Sequence, residues 1–321
     1  VLTDQTRRRF VKDFSLQIPV LTDPYFEYYL ELYDPLYSTE GYYKLLVDAV
    51  NHYGGEEQFF VAGADLRDRI ISHVENKPRY QAFAKNEDDF IGKMKVRDLG
   101  VRQEGIYHAG NADTLFISID IKTANFQSLR YFDADFVDGC ASYEDFVGRF
   151  TDHPAYFAKS KNLRQSIFGK LSPTRQQHIN RWMLNHVLQS VIEAGIPEER
   201  LRLLGSDELI VVSSEKDFVS DWELTSTNHT GSLFRRYRDK VEGAFNLRVE
   251  PFWLRRIHPD HDFFVKEWDG ATPKFRNVPV FVLPQVIKYY FGKPVEEYDL
   301  MFMHEDKVAR YLNPLFENVH A

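Results

Sequence analysis

Apolar positions recur at helical spacing through most of the first hundred residues. Tyr42, Leu45, Leu46, Ala49, Val50 and Tyr53 stand three and four apart, one stripe of a helix over Gly41 to Tyr53, with Lys44 and Asp48 off it. Gly54-Gly55 ends that helix. Pro24 to Tyr33 repeats the pattern behind Asp23, a helix-starting residue, and Ala64 to Val74 predicts a third helix that stops before Asn76-Lys77-Pro78. Further helices are expected over 123–130, 142–150, 173–194 and 230–244, and again from about Pro284.

The period changes near residue 111. Thr114-Leu115-Phe116-Ile117-Ser118-Ile119-Asp120 is a short apolar, β-branched run that ends on an acid, the pattern of a buried strand delivering a carboxylate. Leu201 to Ser213 has two apolar arms around Gly205-Ser206-Asp207-Glu208, which predicts a β-hairpin with acids at its turn. Leu247 to Leu254 and Asp262 to Trp268 predict two more strands. The fold class is therefore α+β. There is no internal repeat and no low-complexity tract.

Composition narrows the classes. At 321 residues the chain exceeds the size at which one core stops growing, so subdomains are expected. The net charge of −8 argues against a duplex-binding module, which needs a basic surface to release counterions from phosphate. A small nucleotide carried with a divalent cation, or a nucleic acid held in a local groove, remains compatible. The 26 Phe and 18 Tyr supply enough buried area for a well-packed interior. Cys140 is the single cysteine, which excludes an intrachain disulfide and a cysteine zinc site. No long apolar span predicts a membrane helix, and the opening Val1-Leu2-Thr3-Asp4 lacks a secretory apolar stretch. The expected location is the cytoplasm.

The candidate chemistry lies in the two strand-borne acid sites. An apolar strand does not bury an unpaired carboxylate without cost. Asp120, with Asp207 and Glu208 on an adjacent strand, would form a hard, oxygen-rich site suited to Mg²⁺ or Mn²⁺. Two such ions can activate a hydroxyl and stabilise a leaving pyrophosphate. Lys159, Lys161, Arg164, Lys170, Arg175 and Arg181, between the two motifs, are candidate phosphate-neutralising groups. His258 and His261 fit an ordinary polar turn.

Asp120-Ile121-Lys122, followed by Asn125 and Phe126, resembles the first catalytic motif of reverse transcriptases and related right-hand polymerases. Leu204-Gly205-Ser206-Asp207-Glu208-Leu209-Ile210-Val211 resembles their acidic hairpin, and more distantly the Ser-Asp-Glu strand of tRNA(His) guanylyltransferases and the acidic turn of diguanylate cyclases. The long segment between the motifs resembles the insertion that reverse-transcriptase-like palms carry there. The departures are Ser-Asp-Glu in place of a doubled Asp, and Asn125 where reverse transcriptases carry an aromatic.

The resemblance implies a polymerase-type palm, an antiparallel sheet with helices on one face, over 111–250. A mainly helical fingers-like region would occupy 1–110 and a thumb-like region 251–321. It implies a metal-dependent nucleotidyltransferase with Asp120, Asp207 and Glu208 catalytic. Metal ligands would be Asp120, the Ile121 backbone, Asp207 and Glu208. Lys122, Asn125, Phe126, Arg130, Lys161, Arg164 and Lys170 would bind a nucleoside triphosphate. The alternatives are a cyclase or a tRNA-end guanylyltransferase on the same palm, and a non-catalytic interaction protein that retains it.

Overall fold

The computed structural model describes residues 2–87, 89–95, 105–193, 196–213 and 246–316. The N-terminal region is helical, as its periodicity predicts. It comprises α1 (Asp4–Asp13), α2 (Tyr25–Tyr37), α3 (Thr39–His52), α4 (Glu56–Glu75), α5 (Pro78–Lys85) and α6 (Phe90–Lys93). Gly54 and Gly55 leave α3 at φ +83° and +134°, a backbone closed to most other residues. Helix α4 starts well before Ala64, because Glu56 and Glu57 favour its N-terminal end.

Strand β1 (Thr114–Ile121) leads into α7 (Ala124–Phe132), and then α8 (Tyr143–Gly148), α9 (Pro154–Lys159), α10 (Lys161–Phe168) and α11 (Pro173–Glu193) follow. Ser142 and Ser160 cap α8 and α10 by accepting backbone N–H groups, a local signal that marks both starts. The acidic hairpin forms as expected, with β2 (Leu201–Leu204) and β3 (Glu208–Val212) flanking the Gly205-Ser206-Asp207 turn. Strands β4 (Leu247–Arg256), β5 (Phe264–Glu267) and β6 (Lys274–Arg276) complete one sheet. The helix expected over 230–244, with its Arg235, Arg236, Arg238 and Lys240, lies outside the described residues.

The sheet order is β2-β3-β1-β4-β5-β6 with every neighbouring pair antiparallel. Strands β1 and β2 therefore run parallel with β3 between them, a split β-α-β unit whose crossover is the α7–α11 helical block. Alternation divides the two faces. Ile117, Ile119 and Ile121 of β1, with Leu209 and Val211 of β3, join the main core that the helices build. The opposite face carries a smaller cluster of Phe116, Ile210, Phe252, Leu254 and Phe264, covered by Ile106 and Tyr107. The architecture is thus α+β, with a six-stranded antiparallel sheet and helices massed on one face.

The tail departs from expectation. Helix α12 (Leu283–Tyr290) is short, and it is followed by a hairpin of β7 (Met301–His304) and β8 (Lys307–Arg310). Its two turn residues, Glu305 and Asp306, both have positive φ (+47° and +59°), the backbone of a tight two-residue hairpin. That tail joins the N-terminal helices. The Tyr28 hydroxyl donates to Asp299 Oδ1 at 2.7 Å, Tyr29 donates to the Tyr298 carbonyl at 2.6 Å, and the Met303 N–H donates to the Pro19 carbonyl at 3.3 Å. The main core also draws residues from all three expected regions, so packing and hydrogen bonds cross both expected boundaries.

Asp299 is fully buried, and burial pushes its carboxyl up despite the bonds it accepts from Tyr28 and from the Glu296 N–H. Tyr28→Phe removes one of those donors from a buried carboxylate. It is expected to lower unfolding stability by about 1–2 kcal/mol with an unchanged denaturant slope, read by urea or guanidinium titration.

Candidate functional site

The register of β1 determines the site. Asp120 stands opposite Glu208 of β3 on one side and opposite Arg248 of β4 on the other. Ser118, two residues back on the same face, stands between Ile210 and Glu250. The polar end of the second sheet face thus holds Ser118, Asp120, Glu208, Arg248 and Glu250. Lys266 of β5 and Lys274 of β6 reach in from the side.

The turn that carries Asp207 is fixed to the end of β1. The Ile121 N–H donates to the Asp207 carbonyl at 2.9 Å, and the Gly205 N–H donates to the Glu208 carbonyl at 2.8 Å. A Cβ on Gly205 would sit 3.2 Å from that carbonyl oxygen, so the tight closure favours glycine. Ser206 donates to Asp207 Oδ1 at 3.1 Å, with the carboxylate exposed.

Each acid on the sheet face has an internal partner. Arg248 Nη2 lies 3.0 Å from Asp120 Oδ2, and Arg248 Nε lies 3.6 Å from Glu250 Oε1. Lys274 Nζ is 2.7 Å from Glu250 Oε2. Glu208 Oε1 accepts from Ser118 Oγ at 2.6 Å and from Lys266 Nζ at 3.4 Å. The Lys266 ammonium is itself buried, 4.3 Å from the centre of the Phe252 ring and 5.6 Å from that of Tyr107.

Burial pushes the Asp120 carboxyl up to about 6. Arg248 opposes that rise, and the negative charges of Glu208 and Asp207 add to it. Glu250 goes the other way. Burial would raise it, but Lys274 and Arg248 hold it below the usual carboxylate range.

The structure brings Asp120, Asp207, Glu208 and the Ile121 backbone to one place, as the sequence predicts. These are hard oxygen donors, and their mutual repulsion at Asp120 is what a divalent cation would relieve. Among the described residues, though, no group of three or more His, Cys, Asp and Glu side chains is gathered to hold a metal ion. Arg248 and Lys266 stand where coordination by Asp120 and Glu208 would draw on the same oxygens.

The expected nucleotide-binding residues mostly lie elsewhere. Phe126 is fully buried among Tyr143, Phe146 and Phe168, so it packs the core and does not line a nucleotide site. Arg130 Nε donates to the Cys140 carbonyl at 3.0 Å, and the Arg164 guanidinium lies 5.6 Å from the Tyr143 ring centre. Lys170 lines a cavity of about 700 Å³ between α4 and α10, with Arg67, Glu75 and Gln165. Lys159 pairs with Glu144, and Arg175 donates to Asn86. These cations are distributed over the helical layer. Lys161 is exposed at the start of α10, whereas Lys122 and Asn125, exposed and half-exposed, flank the turn that leaves β1 beside Asp120.

Sequence reasoning missed Glu250, Arg248, Lys266 and Lys274. The alternation Arg248-Val249-Glu250 within a strand was the available signal, since period two places both charges on one face. Cys140 is buried, and burial pushes its thiol up, which fits an unreactive residue. His258 and His261 form a polar turn with ring centres 4.6 Å apart, and the Asp260 N–H donates to His258 Nδ1. Among the described residues no helix is long and apolar enough to cross a membrane.

No protein-family model, curated protein or solved structure matches the chain.

The Asp120 carboxyl titrates near 6 in the folded chain and near 4 when unfolded, so its ionised form opposes folding. Stability should rise as pH falls through 6 and level off near 4. Asp120→Asn removes the buried charge. It is expected to raise the Tm at pH 8 by on the order of 2 °C, and the gain should close between pH 6 and pH 4 in calorimetric scans. An unchanged or lowered Tm at pH 8 would mean that the Arg248 pair outweighs burial.

Proposed function

We propose that the chain is a metal-dependent nucleotidyltransferase with a polymerase-type palm. The observation that carries this reading is the pairing of Asp120 with Glu208 at the end of a central strand, with the Asp207 turn bonded to the next residue, Ile121. A split β-α-β sheet with acids at these two places is the arrangement that the resemblance of the two motifs implies.

Asp120 and Asp207 would hold Mg²⁺ or Mn²⁺, helped by the Ile121 carbonyl and by Glu208. The bound cation would lower the charge on a triphosphate and stabilise the departing pyrophosphate. The chain's own residues do the rest. Ser118 and Lys266 orient Glu208 by the bonds they donate to it, and the Lys266 ammonium is in turn packed on the Phe252 and Tyr107 rings. Arg248 and Lys274 provide cations on the same face, in place of the expected Lys159, Lys161, Arg164 and Lys170 of the intervening segment. Asn125, at the start of α7, is the residue left to contact the incoming sugar, because Phe126 faces the core.

The activity we propose is polymerase-like addition of nucleotides to a nucleic-acid end, with the end held in a local groove. A cyclase or a guanylyltransferase acting on a tRNA end uses the same acids. The net charge of −8 suits small substrates equally well.

The test is transfer from radiolabelled nucleoside triphosphates with Mn²⁺ or Mg²⁺, using a primed template, a single strand and tRNA as acceptors and an acceptor-free reaction for cyclisation. Asp120→Asn and Asp207→Asn should each reduce transfer by at least about 100-fold while leaving the circular dichroism spectrum unchanged. Full activity in either variant, or no transfer and no Mn²⁺ binding by the native chain, would exclude this reading and favour a non-catalytic role. A preference for ribonucleotides that is lost in Asn125→Phe would place Asn125 beneath the sugar.

A further inference from the structure

Arg248 stands directly opposite Asp120 in the β1–β4 register, on the solvent side of the sheet. Its side chain is 46% exposed, whereas Asp120 is 26% exposed. The other two acids of this face would keep partners without it. Glu250 has Lys274 at 2.7 Å, and Glu208 has Ser118 and the buried Lys266. Among the described residues Arg248 is the cation paired with Asp120. It is also the more easily released, because its head is partly in water and its departure leaves neither Glu208 nor Glu250 unpaired.

We propose that Arg248 is the resting counter-ion of Asp120 and the phosphate-binding group of the same site. It holds the carboxylate while no divalent cation is bound, and turns to a triphosphate when one is. This inference rests on Asp120 being a cation ligand.

The physical reason is charge exclusion. A guanidinium 3.0 Å from Asp120 Oδ2 and a divalent cation on the same carboxylate would repel each other strongly. The pair is partly exposed, so exchange is not blocked by the core. A polyphosphate carried with the cation is then the nearest anion for the released guanidinium, and its planar fork matches two phosphate oxygens. Glu250, 3.6 Å from Arg248 Nε, would keep the side chain near the site during the exchange.

Two variants test this without any turnover. Mn²⁺ binding is followed by electron paramagnetic resonance of free Mn²⁺. Inorganic tripolyphosphate binding to the Mn²⁺-loaded chain is followed by calorimetry. Arg248→Gln should bind Mn²⁺ alone about tenfold more tightly than the native chain, because the competing cation is gone. Its Mn²⁺-loaded form should bind tripolyphosphate at least about tenfold more weakly. Arg248→Lys keeps the charge but not the fork, so it should leave Mn²⁺ affinity near native and still weaken tripolyphosphate.

Native-like Mn²⁺ affinity in Arg248→Gln, with Mn²⁺ binding still abolished by Asp120→Asn, would overturn the inference and leave the metal site standing. Tripolyphosphate affinity unchanged in Arg248→Gln would overturn its phosphate-binding half. Absence of Mn²⁺ binding in the native chain and in Arg248→Gln alike would overturn both the inference and the metal-site reading beneath it.

Discussion

The period-two alternation of β1 is the constraint on which the rest of the sheet depends. Ile117, Ile119 and Ile121 enter the helical core, so Phe116, Ser118 and Asp120 must face the other way. A slip of one residue would put Asp120 into the apolar layer and Ile119 onto the polar face, which burial costs on both sides forbid. Once β1 is fixed, antiparallel pairing decides which side chains meet Asp120. Glu208 and Arg248 are neighbours of that carboxylate because of register, and Glu250 is a neighbour of Ser118 for the same reason.

That geometry creates an electrostatic problem and also contains its answer. Burial raises the Asp120 carboxyl first, and the negative charges of Glu208 and Asp207 add to that rise against the pull of Arg248. Strand β4 supplies a cation, Arg248, level with Asp120, while Lys266 and Lys274 of β5 and β6 reach Glu208 and Glu250. Such a network holds the sheet end in one arrangement, but its members differ in exposure. Lys266 is buried under aromatic rings and serves as a fixed charge. Arg248, by contrast, is half in water.

What could be read from the sequence was what local pattern encodes. The strand ending at Asp120, the acidic hairpin and the α3 and α11 helices follow from spacing and turn residues alone. The tail was not legible, because its hairpin turns on Glu305-Asp306 without a glycine, and Met301 to Met303 has no distinct period. Phe126 was misplaced because the face that a residue presents on α7 depends on where α8 and α10 pack, a tertiary fact. Candidate phosphate-neutralising cations were sought between the acidic motifs in sequence. Arg248, Lys266 and Lys274 come from strands that register, and not sequence distance, brings beside Asp120.

Tyr28 and Tyr29 of α2 spend their hydroxyls on Asp299, Tyr298 and Met301, groups whose backbone and carboxylate would otherwise be buried with fewer partners. Lys288, also buried, pairs with Glu296 at 3.3 Å and lies 5.6 Å from the Tyr28 ring centre. The N-terminal helices and the C-terminal hairpin therefore share one polar joint inside an apolar surround. Strand β5 is tied to α12 as well, since Tyr290 donates to Glu267 Oε2 at 2.8 Å. Lys266, next to Glu267, points to the opposite sheet face and reaches Glu208.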